Sequence, residues 1–320
     1  MSDISVSLKN VTKQYGAFTA VDDLSFDVAK GEIYGFLGPN GAGKTTSLRM
    51  MLDIIAPTKG SISILGSDSA ISVRRRIGYL PEERGLYRKM KAAESIAYFA
   101  QLRGLSRTSA LARAHALLER FGLEEFARSK NEALSKGMAQ KVQLLTTIVH
   151  EPELLILDEP FSGLDPINQQ TLEALIREQR RNGRTIIFST HVMQHAERLC
   201  DRFLIMAQGK KRFEGTLAEA QAKFAQRLHL RSPAPVSILQ ALPGVVAVSA
   251  EERLGGDTLY EIELADGTGP QHFLKAAIAA GMELTRFEQA GATLHDIFVA
   301  LAEDEETEKT AQPDAGEAAA

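Results

Sequence analysis

Cysteine, excess basic charge and long apolar runs are all scarce in this chain, and each scarcity removes a class of function. The one cysteine, Cys200, cannot close an internal disulfide. That points to a reducing compartment and to a thiol that serves as a small buried apolar group. The formal net charge is −4, whereas a dedicated nucleic-acid binder carries a strongly basic face. The short cluster Arg74-Arg75-Arg76 reads as a solvated surface, and no nucleic-acid partner is expected. The opening MSDISVSLKN lacks a basic start followed by an apolar run, so no signal peptide is expected. No apolar stretch approaches the roughly 20 residues of a membrane span. Direct membrane insertion is therefore not expected, and work at a membrane would need another chain to supply the spans.

What is present is ample apolar material. With 320 residues, 44% of them hydrophobic, the chain can build one large domain and a small one. Residues 4–10 and 24–28 alternate apolar and polar, as half-buried strands do. GEIYGFLG runs from an apolar strand into a glycine-rich turn, and TTSLRMMLDII continues as a helix. Ile77 to Leu80 reads as a strand ending at Pro81. From about Ala92 to His150 the pattern is mostly helical, with glycines stopping ESIAYFAQLRG and ALARAHALLERFG. ELLILDEP and RTIIFST are short continuous apolar runs, suited to strands buried on both faces of a parallel sheet. Between them, Asp165 at N-cap, Pro166 at N1 and Gly183 past the end mark a helix. RFLIMAQGKKRFEG reads as a hairpin. Strands alternating with helices predict an α/β fold around a parallel sheet.

After Gly215 the texture changes. A connector helix (Leu217 to Ala225) precedes a β-α-β-β-α-β succession over 227–289, the ferredoxin-like order, and a last helix over 294–302. The acidic, alanine-rich tail has little to bury and is expected to be disordered. The expected divisions are 1–220 (with a helical subdomain at about 88–150), 221–302 for a small α+β domain, and 303–320 for the tail.

The chemistry concentrates in two segments. Gly38-Pro39-Asn40-Gly41-Ala42-Gly43-Lys44-Thr45-Thr46 matches G-x-x-x-x-G-K-[ST], follows a strand and opens a helix. Glycines let backbone N–H groups close around phosphate oxygens, and the helix N-terminus adds partial positive charge. Lys44 can reach the β- and γ-phosphates, and Thr45 can bind Mg²⁺. In LLILDEP, Asp158 ends an apolar strand where a second Mg²⁺ contact belongs. Glu159 follows, where a carboxylate can orient or deprotonate a water. His191 stands at the carboxyl end of a neighbouring strand, where ligands of open α/β sheets bind.

In order, Tyr15, the phosphate loop, GYLPEE, LSKGM, LLILDEP, SGLD and STH resemble the nucleotide-binding subunit of an ATP-binding cassette (ABC) transporter over about residues 4–215. The resemblance implies a P-loop NTPase fold with an antiparallel β subdomain and a helical subdomain, and ATP with Mg²⁺ as ligands. It also implies that Tyr15 stacks on adenine, the other reading being a core aromatic. Ser135 and Gly137 would belong to the signature motif, and Asp165 to the D-loop. Two positions depart from the family pattern. Glu82 stands where a glutamine is usual, and is either a metal contact or a solvated loop acid. The usual L-S-G-G-Q is here Leu134-Ser135-Lys136-Gly137-Met138; its serine hydroxyl and second glycine N–H survive, and Lys136 either adds positive charge or is solvated.

GYLPEERGLY and LSKGM together resemble the ATPases of ABC-2 type exporters, including sodium-efflux and drug-resistance systems. The region ending in LHDIFVAL resembles the small C-terminal domain of that branch. These likenesses imply an ATP-hydrolysing subunit that pairs with a second copy of itself or a homologous subunit and powers a separate transmembrane permease. It would sit in the cytoplasm, peripheral on the inner face of the membrane. Within one chain, a second anion-binding helix start at Ser135 has no free phosphate to hold, so it makes sense facing the nucleotide of the other subunit. A soluble ABC ATPase acting on ribosomes or DNA is the alternative. Against it, the sequence has one cassette, no long coiled-coil insertion and no basic excess.

Overall fold

The computed structural model describes residues 3–83, 85–222, 227–254, 256–265, 267–290 and 293–301. The chain divides into two units, Met1–Thr216 and Leu217–Ala320.

In the first unit the strands are β1 (Ile4–Tyr15), β2 (Phe18–Ala29), β3 (Ile33–Leu37), β4 (Lys59–Ile64), β5 (Ile77–Leu80), β6 (Leu154–Leu157), β7 (Thr185–Thr190), β8 (Arg202–Ala207) and β9 (Lys210–Gly215). Its α-helices are α1 (Lys44–Met51), α2 (Ala70–Val73), α3 (Ala92–Leu102), α4 (Arg107–Arg120), α5 (Lys136–Ile148), α6 (Pro166–Arg181) and α7 (Met193–Leu199). The helices α3, α4 and α5 bear out the helical reading of the middle of the chain.

Two sheets share the unit. β2-β1-β4 is antiparallel, and β5-β6-β7-β3-β8-β9 is parallel except for β9, which returns against β8. The central strands β3, β6 and β7 are buried along their whole length. That explains why they are continuous apolar runs rather than alternating ones. The sequence signal for β1 and β2 was too short. Each strand has 12 residues, and register shifts between Leu8 and Val11 and at Lys13 break the alternation where the bulged residues sit. β4 was not anticipated, because its first three residues are exposed and its apolar alternation is confined to Ile62 and Ile64.

The parallel order brings the chemistry together. β6, β7 and β3 are consecutive neighbours, with Leu157 opposite Phe188 and Leu37 opposite Thr190. Their carboxyl ends therefore release Asp158, His191 and the phosphate loop at one edge, as the rule for open α/β sheets demands.

The second unit contains α8 (Leu217–Gln221), β10 (Arg227–Ser232), α9 (Val236–Gln240), β11 (Val245–Leu254), β12 (Asp257–Leu264), α10 (Pro270–Ala279) and β13 (Arg286–Ala290). Residues 294–301 are helical. The sheet order β11-β12-β10-β13, antiparallel throughout, is the ferredoxin-like arrangement that the β-α-β-β-α-β succession implied. Leu228, Leu230, Tyr260, Ile262 and Phe273 fill its core. The connector helix was expected to reach Ala225, but residues 223–226 and the tail 303–320 lie outside the described residues.

Candidate functional site: a phosphate loop beside a buried acid pair

The loop between β3 and α1 is shaped by backbone that only glycine adopts easily. Gly38, Gly41 and Gly43 have φ of +150°, +82° and +98°. A Cβ at Gly38 would lie 2.3 Å from the Met206 carbonyl oxygen, and one at Gly43 2.6 Å from that of Ala20. Gly43 is the N-cap of α1 and offers no side chain to its first-turn N–H groups, so these stay open to an anion.

Lys44 is only 6% exposed. Its Nζ donates to the carbonyls of Gly38 at 2.7 Å and Pro39 at 3.1 Å, and lies 3.5 Å from Glu159 Oε1. The cation is thus folded back into its own loop.

The acid pair is buried as well, with Asp158 at 1% and Glu159 at 8% exposure. Ser189, in β7, joins them: its Oγ donates to Asp158 Oδ1 at 2.6 Å and accepts the Glu159 backbone N–H at 2.9 Å. Thr45 Oγ1 reaches the same Asp158 oxygen at 3.4 Å. Burial pushes the Asp158 carboxyl above the usual range, opposed by the bonds from Ser189 and Thr45. Asp158 Oδ2 is buried with no hydrogen-bond partner. A buried carboxylate oxygen without a donor is costly unless a cation or a donor fills the place. The donor set therefore fits Mg²⁺, which takes one or two carboxylates and completes its shell with water and phosphate.

Glu159 has φ +45°. His191, half exposed, sets its Nδ1 3.0 Å from Glu159 Oε2. An ionised carboxylate only accepts, so Nδ1–H donates, leaving Nε2 available to a ligand.

An open cavity of about 330 Å³ is bounded by Pro39 to Thr46, Glu82 and Glu159, and by Phe18 and Ala20. Glu82 is exposed at its rim. Tyr15 does not line this cavity; it is exposed, with Lys13 Nζ 5.0 Å from its ring centre. The exposed ring of Phe18, across the β1–β2 turn, does line it. Sequence reading missed Phe18 and Ser189. An apolar ring at a hairpin turn was the signal for the first, and the strand-end pair Ser189-Thr190 before His191 for the second.

The other singled-out residues lie outside the cavity. Ser135 caps α5, its Oγ accepting the Met138 N–H at 3.3 Å. Asp165 caps α6, accepting the Asn168 N–H at 2.9 Å, which holds its carboxyl below the usual range. Asn168 also faces Gly137, where an added Cβ would lie 3.0 Å from its Nδ2. The Lys136 ammonium covers Gly163 of the loop before α6, where an added Cβ would meet Nζ at 2.5 Å. Cys200 is partly buried, and burial pushes its thiol pKa up, in keeping with an inert role.

Known proteins carry the same assembly. Residues 21–162 match the family described as "ABC transporter", and residues 215–302 match the "ATP-binding protein DrrA1-3-like, C-terminal domain". The ABC transporter ATP-binding protein YhaQ of Bacillus subtilis is 38% identical over 295 residues, 92% of this chain and 97% of its own. The Nod factor export ATP-binding protein I of Burkholderia pseudomallei is 35% identical over 307 residues, 94% of this chain and 98% of its own. A solved structure described as the ATP binding subunit of an ABC transporter is 36% identical, with a TM-score of 0.64 over 68% of this chain and 92% of its own. These matches do not favour the ribosome- or DNA-acting alternative. No helix among the described residues is long and apolar enough to cross a membrane. With the P-loop cavity, the buried acid pair and the second α+β unit on one chain, this protein belongs to the ATP-binding subunits of ABC transporters, a family that binds and hydrolyses ATP to power transport through permease partners.

Proposed function

We propose that two copies of this chain, or this chain and a homologous subunit, close on two ATP molecules, hydrolyse them and drive a separate transmembrane exporter of the ABC-2 type. The carrying observation is the Glu159 carboxylate, held between Lys44 and His191 at the mouth of an uncapped phosphate loop. The export direction is supported by the printed names of relatives, Nod factor export among them, and by the DrrA1-3-like C-terminal match. On this reading the subunit is cytoplasmic and peripheral, held at the inner face of the membrane by its permease.

The first-turn N–H groups of α1 and the glycine loop bind the β- and γ-phosphates. Lys44 leaves the Gly38 and Pro39 carbonyls for phosphate oxygens when the loop fills. Thr45 and Asp158 would hold Mg²⁺, with Glu82 at the rim as a further candidate. When bound, the ion neutralises charge on the phosphates. Glu159 accepts the proton of the attacking water, and His191 keeps that carboxylate turned toward the cavity. Tyr15 and Phe18 offer aromatic faces for adenine. Ser135 and Gly137 complete the partner's site: the Ser135 cap uses only the acceptor side of the hydroxyl, so its proton is free for a phosphate oxygen. The loop at Asp165 lies beside them.

The Glu159→Gln variant tests the reading. It retains ATP binding, loses hydrolysis and accumulates as an ATP-bound dimer on size exclusion. A variant that stays monomeric in saturating ATP, even with its co-purified membrane partner, would refute the sandwich.

A further inference from the structure

A non-glycine residue at positive φ, as Glu159 is at +45°, is sterically disfavoured. Such a conformation persists only where its surroundings hold it. Beside the Ser189 hydroxyl of β7 that accepts the Glu159 N–H, two side chains at the start of the next segment hold it. His191, just before α7, bonds the Glu159 carboxylate. One turn further on, the His195 ring lies flat on Phe161, with centres 3.9 Å apart and planes 10° apart. Phe161 follows Glu159 by two residues, and Phe188 of β7 meets it edge-on at 5.9 Å. Both stacked rings are buried, Phe161 at 4% and His195 at 6% exposure. The segment carrying Glu159 is thus gripped at two points, by His191 and by His195 of α7.

The His195 Nδ1 lies 3.5 Å from Glu173 Oε1 on α6 without forming a hydrogen bond. Glu173 is itself buried and faces Arg198 of α7 at 3.7 Å and Arg177 of α6 at 3.8 Å. The helix α6 starts at its Asp165 cap, four residues after Phe161. One imidazole therefore touches α6, is carried on α7 and stacks on the segment that holds Glu159. Burial keeps it below the ordinary histidine range against the pull of Glu173, so the ring that stacks is neutral near pH 7. Core filling alone would require only an apolar group of that size; a parallel ring stack also fixes the orientation of Phe161.

We propose that His195 is a positioning residue for ATP hydrolysis: by stacking on Phe161 it sets the Glu159 carboxylate against His191. The inference rests on Glu159 acting as the base. It predicts an effect on turnover and not on ATP capture, because His195 is not among the residues bounding the cavity.

The test uses the full-length chain, with phosphate release measured against ATP concentration and thermal unfolding run beside it. Replacing His195→Leu fills the volume without a ring and lowers kcat by about tenfold or more, as misplacement of a catalytic group does. The KM for ATP stays within about twofold. Replacing His195→Phe restores the stacked ring without the Glu173 contact and recovers kcat to within about threefold of the parent. Because both side chains fill the site, the pair decides the matter even if His195→Ala fails to fold. Equal kcat for the Leu and Phe variants overturns the inference, as does a change in KM alone. Glu159→Gln is measured in parallel. If it abolishes hydrolysis while His195→Leu does not slow it, only the positioning role fails; if Glu159→Gln hydrolyses normally, the assignment beneath it fails as well.

Discussion

Two helices of the first unit begin on glycine-bearing, anion-ready sequence, and they are finished in opposite ways. The helix α1 starts behind Gly43 in the left-handed region with no cap, and its Lys44 is buried. The helix α5 starts behind Ser135, which is exposed and already caps Met138. An uncapped helix start in a cavity leaves its donors unsatisfied until an anion arrives. A self-capped, exposed start is satisfied alone and has only a hydroxyl proton and the N–H of Gly137 to add to something outside. The difference fits a site completed by a second chain, and it can be attacked directly.

The largest effect separates the two starts by binding. Lys44→Ala removes the buried cation and lowers hydrolysis by about 10²–10³-fold, the usual loss for a preorganised charge at a phosphoryl site. It also weakens ATP binding by the isolated chain. Ser135→Ala leaves monomer ATP binding intact, measured by equilibrium titration, and lowers only hydrolysis. If Ser135→Ala weakens monomer binding as much as Lys44→Ala, both cradles serve one chain and the contrast is lost. Mixed dimers sharpen it. A Ser135→Ala subunit paired with a Glu159→Gln subunit retains one intact site if each site is built from two chains, and none if each is built from one.

Next comes the backbone. Gly43→Ala forces a Cβ to within 2.6 Å of the Ala20 carbonyl oxygen at φ +98°, which should cost about 2 kcal/mol or more. Gly137 has ordinary helical backbone, and its added methyl meets only the Asn168 amide at 3.0 Å. There Ala should change stability by less than about 0.5 kcal/mol while still reducing hydrolysis. Thermal unfolding beside phosphate release checks both. A Gly137→Ala protein as unstable as Gly43→Ala would mean that α5 is as tightly boxed as α1.

The sequence exposed these features unevenly, for physical reasons. The phosphate loop, Asp158, Glu159 and the Asp165 cap of α6 were legible because each depends on local spacing: a strand end, a turn that needs glycine, a helix start. The ferredoxin-like order of the second unit was legible from alternating element types. Ser189 was not, since its role depends on β6 and β7 lying side by side, a register 31 residues apart for Ser189 and Asp158. Phe18 was missed because an exposed ring at a hairpin turn looks like surface until the phosphate loop is placed beside it. The grip of His195 on Phe161 was hidden likewise, being a contact between an element and a loop far apart in the chain.

The last contrast concerns the far end of α5, where the effect appears only in acid. Past it, His150 Nε2 lies 3.1 Å from the Ile77 carbonyl. A carbonyl only accepts, so the bond fixes the Nε2–H tautomer, and Nδ1 is buried without a partner. Burial lowers the His150 pKa from 6.5 to about 4. A histidine whose folded pKa lies below its unfolded one contributes full stability above the unfolded value and loses it as pH falls through the window from about 6.5 to about 4. By pH 5 the loss amounts to about 2 kcal/mol. Urea unfolding at pH 7.5 and pH 5 should show it, and His150→Gln, which can still donate to Ile77, should flatten the difference. The helix α1 ends at buried Met51, and the acid past it, Asp53, is exposed, accepting from the Ser69 hydroxyl, so acid should loosen α5, with its partly buried His150, before α1. Hydrogen exchange at pH 5 would show the order, and equal protection of the two helices would mean that they share one fate despite their different ends.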